Sequence, residues 1–258
     1  MQKPFVVKSK KLSIMGTLHL PDDYKTADKK YPGVIFFHGF TGTKIEPHRF
    51  FWKIADMLCK NGIVSLRFDY RGNGESEGAF EEFTIKDYLY DAKLMMKKFL
   101  TKVKKLDTNN ISIIGLSMGG IVTSYIAPLF PEVKKIVLLS AVSTPKEVFL
   151  GGLEANFPDF KERYKNNEIF DVGGNGVTRK FIDTMKRMKP LEKIKEFQGE
   201  ALIIHNEEDD TVPVNNAELY NEVIEKSSLH ILSGNTHTFA SIEQEKEVIS
   251  LIDKFLSN

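Results

Sequence analysis

The chain has 258 residues, and its 36 Lys and Arg against 35 Asp and Glu leave a formal net charge of +1. A balance so near zero supplies no general attraction to nucleic acid or anionic lipid, and the basic residues form no long block. Hydrophobic residues make up 41% and charged residues 28%, which excludes a disordered chain and suits a soluble globule with a sizeable core.

Residues 1–11 carry charge but no apolar stretch of signal-peptide length. Residues 12–20 alternate in polarity and are expected to add an antiparallel edge strand. The short runs 34–37, 63–68, 111–116, 133–139 and 201–204 are rich in β-branched residues or Phe. They read as strands buried on both faces, which show continuous rather than alternating hydrophobicity. None is long enough to span a bilayer. Between them, Phe51, Ile54, Ala55 and Leu58 recur at helical spacing, with Asn61-Gly62 as a left-handed stop. Ile85, Tyr88, Leu89, Ala92, Met96, Phe99 and Val103 mark a longer helix, and Val248, Leu251, Ile252 and Phe255 a last one. A single cysteine, Cys59, can form no internal disulfide and reads as a small hydrophobe on its helix. A reducing, cytoplasmic setting is the expectation.

Strand–helix alternation of this kind predicts an α/β fold, a mostly parallel central sheet with helices on both faces. The rhythm breaks at residues 143–190, which are rich in Gly and Phe and show no strong strand. An insertion of roughly 45 residues is too long for an ordinary loop. It reads as a lid on a core formed by residues 1–142 and 191–258, against the plainer alternative of a longer crossover with one extra helix at 177–188. Phe149, Phe157, Phe160 and Tyr164 within it are candidates to contact a substrate.

The most informative stretch is the strand at 111–116 running into Gly115-Leu-Ser117-Met-Gly119, followed by a small-residue helix. This is the arrangement of a nucleophile elbow. The serine takes a strained backbone conformation, and the flanking glycines remove Cβ atoms that would clash around it. Gly74-Glu-Ser76-Glu-Gly78 fits the same bare pattern, but two carboxylates beside a serine oppose an alkoxide, and no helix start follows. Ser76 reads as a loop serine. Gly72 and Gly74 lack the third glycine of a dinucleotide loop.

A serine nucleophile needs a base and a group to orient it. His237, in the loop between the last strand and the C-terminal helix, is the candidate base. His19, His38 and His48 precede the elbow, and His230 reads as a packed strand residue. The acid should follow the strand 201–204, where Glu207, Glu208, Asp209 and Asp210 all stand, and spacing does not choose between the two aspartates. The amides of Phe40, in the glycine-rich loop 38–42, and of Met118, at the start of the helix, are the expected donors to a developing oxyanion.

With these elements in this order, the chain resembles the α/β-hydrolase superfamily along nearly its whole length. The residues that carry the likeness are His38-Gly39-Phe40, 69–76, Gly115-Leu-Ser-Met-Gly119, the Asp209 turn and His237. Within that superfamily it looks most like bacterial cinnamoyl (feruloyl) esterases, through Phe37-His-Gly-Phe-Thr-Gly42 with Lys44, Glu46 and His48, and through 67–76. The resemblance implies Ser117, Asp209 and His237 as the catalytic set, with Asp209 as the acid, and an inserted lid at 143–190. The expected activity is a serine carboxylesterase acting through an acyl-enzyme, with hydroxycinnamoyl esters as substrates. An acylglycerol lipase, a thioesterase or a small serine peptidase is the alternative, and a non-catalytic hydrolase-fold protein would be expected to lack one of the three positions. No cofactor or metal is expected. The expected partner is a small-molecule ester rather than nucleic acid or membrane, with a homodimer left open.

Overall fold

Side chains point alternately to the two faces of a strand, which splits each apolar run between two layers. In the computed structural model of the chain, which describes residues 1–257, Val34 and Phe36 join one buried cluster while Ile35 and Phe37 join the other. The same division recurs at Ile113 and Ile114, at Leu138 and Leu139, and at Ile203 and Ile204. The sheet is therefore covered on both faces, as its unbroken apolar strands predict.

An antiparallel pair, β1 (Gln2–Ser9) and β2 (Leu12–His19), opens the chain. Then follow β3 (Tyr31–Phe37), α1 (Phe50–Lys60), β4 (Val64–Phe68), α2 (Ile85–Lys102), β5 (Leu106–Leu116), α3 (Met118–Ile126) and β6 (Val133–Leu139). The inserted segment contributes α4 (Pro145–Asn156), α5 (Phe160–Lys165), β7 (Phe170–Val172), β8 (Asn175–Val177) and α6 (Arg179–Met185). The chain continues through α7 (Pro190–Ile194), β9 (Glu200–Asn206), α8 (Asn215–Val223), β10 (Ser227–Leu232) and α9 (Ile242–Ser257). The eight-stranded sheet runs β1-β2-β4-β3-β5-β6-β9-β10. Neighbours are parallel from β4 to β10, and antiparallel where β2 meets β1 and β4.

Two sequence expectations need correction. β2 is antiparallel as its pattern predicts, but it is not the edge, because β1 lies outside it. β1 escapes a reading by hydrophobicity since only Phe5, Val7 and Ser9 of its eight residues are buried. The inserted segment also holds a strand pair, the hairpin β7–β8. Its turn is made by Gly173 and Gly174, both at positive φ, and three-residue strands are too short to show a period.

α1 and α9 cover one face through Phe50, Ile54, Leu58, Val248 and Ile252. α2 and α3 cover the other, joined by Leu153, Phe170, Phe181 and Ile182 of the inserted segment. The Asp87 carboxylate accepts from the backbone N–H and the hydroxyl of Thr84 and so caps the start of α2. The loop after β4 is stapled by polar contacts. Arg71 donates from Nε to Asp91 Oδ2 at 2.8 Å, and Ser9 donates to Asp91 Oδ1 at 2.9 Å. The Ser76 hydroxyl donates to the Asp69 carbonyl and accepts from the Met15 N–H, so the second Gly-x-Ser-x-Gly match is a structural serine.

Candidate active site

β5 ends in a backbone that few side chains accept. Ser117 has φ 55° and ψ −117°, a combination costing on the order of 1–3 kcal/mol that only a surrounding scaffold can hold. That scaffold is built from glycine. A Cβ on Gly119 would run into the carbonyl of Phe37, and one on Gly115 into the Thr123 hydroxyl. The Ser117 N–H donates to the Leu139 carbonyl at 2.9 Å, and its own carbonyl accepts from Gly120 and Val142. The turn is thereby tied to both neighbouring elements, and the helix N-terminus of α3 begins at the next residue.

His237 lies in the loop between β10 and α9. Its Nδ1 is 2.9 Å from Asp209 Oδ2 and 3.1 Å from Oδ1. A carboxylate only accepts, so Nδ1 carries a proton and donates to Asp209. Nε2 is buried and has no hydrogen-bond partner among the described residues. No hydrogen bond joins it to the Ser117 hydroxyl.

Between the two candidate aspartates the structure decides. The Asp209 side chain is wholly buried and also accepts from the N–H groups of Thr211 and Val212 at 2.9 and 2.8 Å. Asp210 is exposed and accepts from the Thr211 hydroxyl beside it. Burial alone would raise the Asp209 carboxyl. The hydrogen bond and charge of His237, together with the two backbone donors, hold it below the usual carboxylate range instead. His205 backs this group. Its Nε2 donates to the Val212 carbonyl at 2.8 Å and lies 3.4 Å from Asp209 Oδ2, and burial pushes its pKa down.

The amides of Phe40 and Met118 donate to no group among the described residues. His38 shapes the loop before Phe40: Nε2 accepts from the Tyr70 N–H, so Nδ1 donates to the Gly39 carbonyl. Burial pushes its pKa down to about 4, which leaves it neutral and committed. Sequence reasoning did not single out the role of Glu46, whose carboxyl accepts from the Gly39 N–H. His230 is half-buried on β10. Cys59 is half-buried rather than buried, and burial pushes its thiol up.

Ser117 opens into a cavity of about 350 Å³ lined by Phe40, Met118, Ile121, Val142, Leu153 and Val212, with Phe149 and Phe157 from the insertion. Phe160 and Tyr164 are not part of this lining, which corrects the sequence expectation. Phe160 packs on Phe170, with ring centroids 5.2 Å apart. The Tyr164 hydroxyl donates to Asp183 while Arg179 and Lys186 lie over its ring. Both hold the inserted segment together. Asn156 and Asp171 are exposed residues of the lining. No group of three or more His, Cys, Asp or Glu among the described residues is arranged to hold a metal ion. No helix among them is long and apolar enough to cross a membrane.

Comparison with known proteins agrees with this architecture. A family model described as alpha/beta hydrolase fold matches residues 32–199, and the chain belongs to that family. It is 25% identical over 181 residues, 59% of its length, to 2-hydroxy-6-oxo-2,4-heptadienoate hydrolase of Pseudomonas putida. It is 26% identical over 215 residues, 78% of its length, to the mitochondrial palmitoyl-protein thioesterase ABHD10 of Homo sapiens. The chain spans 65% of the length of each of these two. Among solved structures, Est1E from Butyrivibrio proteoclasticus with ferulic acid bound superposes with a TM-score of 0.82 at 21% identity, covering 98% of this chain and 97% of that one. At that identity the match speaks for the fold.

Proposed function

We propose that this α/β hydrolase is a serine carboxylesterase that works through an acyl-enzyme and favours hydroxycinnamoyl esters. The observation that carries the reading is the buried Asp209 carboxylate paired with the half-buried His237, whose Nε2 has no partner among the described residues, together with a strained serine that opens into an apolar cavity. In this scheme Ser117 Oγ attacks the ester carbonyl carbon while His237 Nε2 takes its proton, and Asp209 stabilises the imidazolium. The amides of Phe40 and Met118 hold the tetrahedral oxyanion, each donor contributing on the order of 3–4 kcal/mol. His237 then protonates the leaving alcohol. Water, deprotonated by the same nitrogen, attacks the acyl-enzyme and releases the acid and free Ser117.

Residues 143–190 act as a lid in this reading, with Phe149 and Phe157 packing on the acyl group. A flat aryl acyl chain suits the aromatic wall of Phe40, Phe149 and Phe157, since rings pack edge-to-face at such distances. The Phe40 and Phe149 centroids lie 5.0 Å apart at 89°. A small ester in the cytoplasm is the proposed substrate setting. The second reading keeps the same atoms and changes the substrate to an alkyl ester or thioester, as an acylglycerol lipase or thioesterase. The aliphatic part of the lining, Ile121, Val142, Leu153 and Val212, favours it.

A panel of methyl hydroxycinnamates, short and long acyl esters, and acyl thioesters separates these readings. The proposal expects methyl ferulate to give the highest kcat/KM. A rate no better than for simple acetate esters removes the cinnamoyl claim, and full turnover by Ser117→Ala removes the mechanism.

A further inference from the structure

The loop after β3 carries a carboxyl group that the reaction above leaves unused. Glu46 is buried, 8% exposed, and its Oε1 accepts the Gly39 N–H at 2.6 Å. A Cβ on Gly39 would stand 3.5 Å from Glu46 Oε1 and 3.5 Å from Ser117 Cβ. Gly39 is therefore held between this carboxyl and the nucleophile, and the next amide along the chain is that of Phe40. Gly42 makes room on the other side, since a Cβ there would lie 2.8 Å from the same oxygen. The backbone at Glu46 has φ 59° and ψ 162°, a region that essentially only glycine enters. Such strain persists where the surroundings over-determine the conformation, and it concentrates at functional sites.

The groups facing Glu46 are few. On its own loop, the Lys44 ammonium is committed to Asp69 and Glu75, each at 2.5 Å. From the loop after β4, Asp69 brings a buried carboxylate that also accepts from the Lys44 and Glu75 N–H groups, and Tyr70 brings a phenol. From the end of β3, His38 is neutral. No cation among the described residues pairs with Glu46.

We propose that Glu46 is a positioning residue whose neutral carboxyl fixes the Gly39–Phe40 peptides for the developing oxyanion, and whose ionisation weakens that stabilisation. The inference rests on the esterase reading above. The neutral acid accepts the Gly39 N–H through its carbonyl oxygen and puts no charge beside the reacting centre. The ionised form grips the same N–H but places a negative charge next to a site where negative charge develops. In a buried setting that repulsion dominates. Burial, opposed by the Gly39 hydrogen bond and aided by the Asp69 charge, pushes the carboxyl up to about 7, which brings its titration into the neutral range.

The test compares pH profiles of kcat/KM for the wild type and Glu46→Gln, whose amide oxygen can still accept the Gly39 N–H. The ratio of kcat/KM at about pH 8.5 to that at about pH 6 is expected to be about tenfold higher in Glu46→Gln, because the substitution removes the alkaline decline. Glu46→Ala, which leaves the N–H unpaired, is expected to lose activity at every pH, and Gln to rescue it. Superposable alkaline limbs for wild type and Glu46→Gln overturn the proposal while leaving the esterase reading standing. Full turnover by Ser117→Ala overturns that reading separately. Where either Glu46 variant fails to fold, carbon-13 NMR of the wild-type carboxyl decides: titration near 7 supports the proposal, and titration in the ordinary glutamate range overturns it.

Discussion

His48 Nε2 lies 2.9 Å from the carbonyl oxygen of Thr238, 190 positions away in the chain. The same ring reaches Glu245 Oε2 through Nδ1 at 2.6 Å, and Lys53 holds that carboxylate from the other side at 2.7 Å. Phe239 is fully buried against Phe50, with ring centroids 5.8 Å apart. The loop that carries His237 is thus fastened to the start of α1 immediately after the imidazole.

This tether predicts a positioning effect. His48→Ala is expected to lower kcat about tenfold with KM little changed, since a hydrogen bond involving a charged partner contributes about 1.5–3 kcal/mol and only part of that reaches the site. His48→Gln, which can restore one of the two contacts, should recover part of the loss. Steady-state kinetics on a single ester substrate checks it.

Removal of the three groups proposed to act in the reaction should separate their roles. Ser117→Ala and His237→Ala are each expected to lower kcat by about 10⁶, and Asp209→Asn by about 10⁴ through loss of the correct imidazole tautomer. Asp210→Asn should change kcat by less than about twofold, since surface substitutions away from such features have small effects. Covalent labelling by a fluorophosphonate, located by peptide mapping, should fall on Ser117 and disappear in Ser117→Ala.

The inserted aromatics divide into two kinds with different signatures. Phe149→Ala and Phe157→Ala open the cavity and should raise KM for aryl esters more than for acetate esters, by about ten- to a hundredfold, and Phe157→Ala should also lower the unfolding midpoint because its ring packs on Phe170 at 5.2 Å. Phe160→Ala leaves a void among packed rings and is expected to cost about 3 kcal/mol of stability, with kinetics of the folded enzyme preserved. Thermal denaturation beside a two-substrate assay distinguishes them.

Glu46 should also mark stability. Its carboxyl holds a proton in the folded state up to about 7, whereas the unfolded chain releases it near the ordinary glutamate value. Between those values the native state binds more protons, so stability falls as pH rises through that window. This contribution, on the order of 3 kcal/mol, is fully present below the unfolded value and lost above the folded one. Denaturant titrations across about pH 4.5 to 8 should show this slope in the wild type, and Glu46→Gln should flatten it.

Local rules are legible along the chain because they act within a few residues. The short apolar runs, the helical spacing at Phe51, Ile54 and Leu58, and the left-handed Gly62 at the end of α1 each follow from backbone sterics and side-chain period. The strained turn at Ser117 is legible for the same reason: Gly115 and Gly119 flank it, and a strand and a helix abut it. β1 and the β7–β8 hairpin are not legible, because an edge strand buries too few side chains and a three-residue strand shows no period.

Sequence alone determined the parallel α/β architecture and the serine at the strand-to-helix turn, since steric limits on φ and ψ and the spacing of apolar residues are properties of neighbours. Spacing alone left Asp209 and Asp210 open and the family resemblance implied Asp209; the tertiary structure is what brings Asp209 to His237, across 28 positions. It also decided that Phe149 and Phe157 face the cavity while Phe160 and Tyr164 brace the insertion, and that Glu46 holds the Gly39 loop beside the serine and His48 holds the loop carrying His237. Those choices depend on which surfaces become close once the sheet is covered on both faces. Packing settles that, and no short window of sequence contains it.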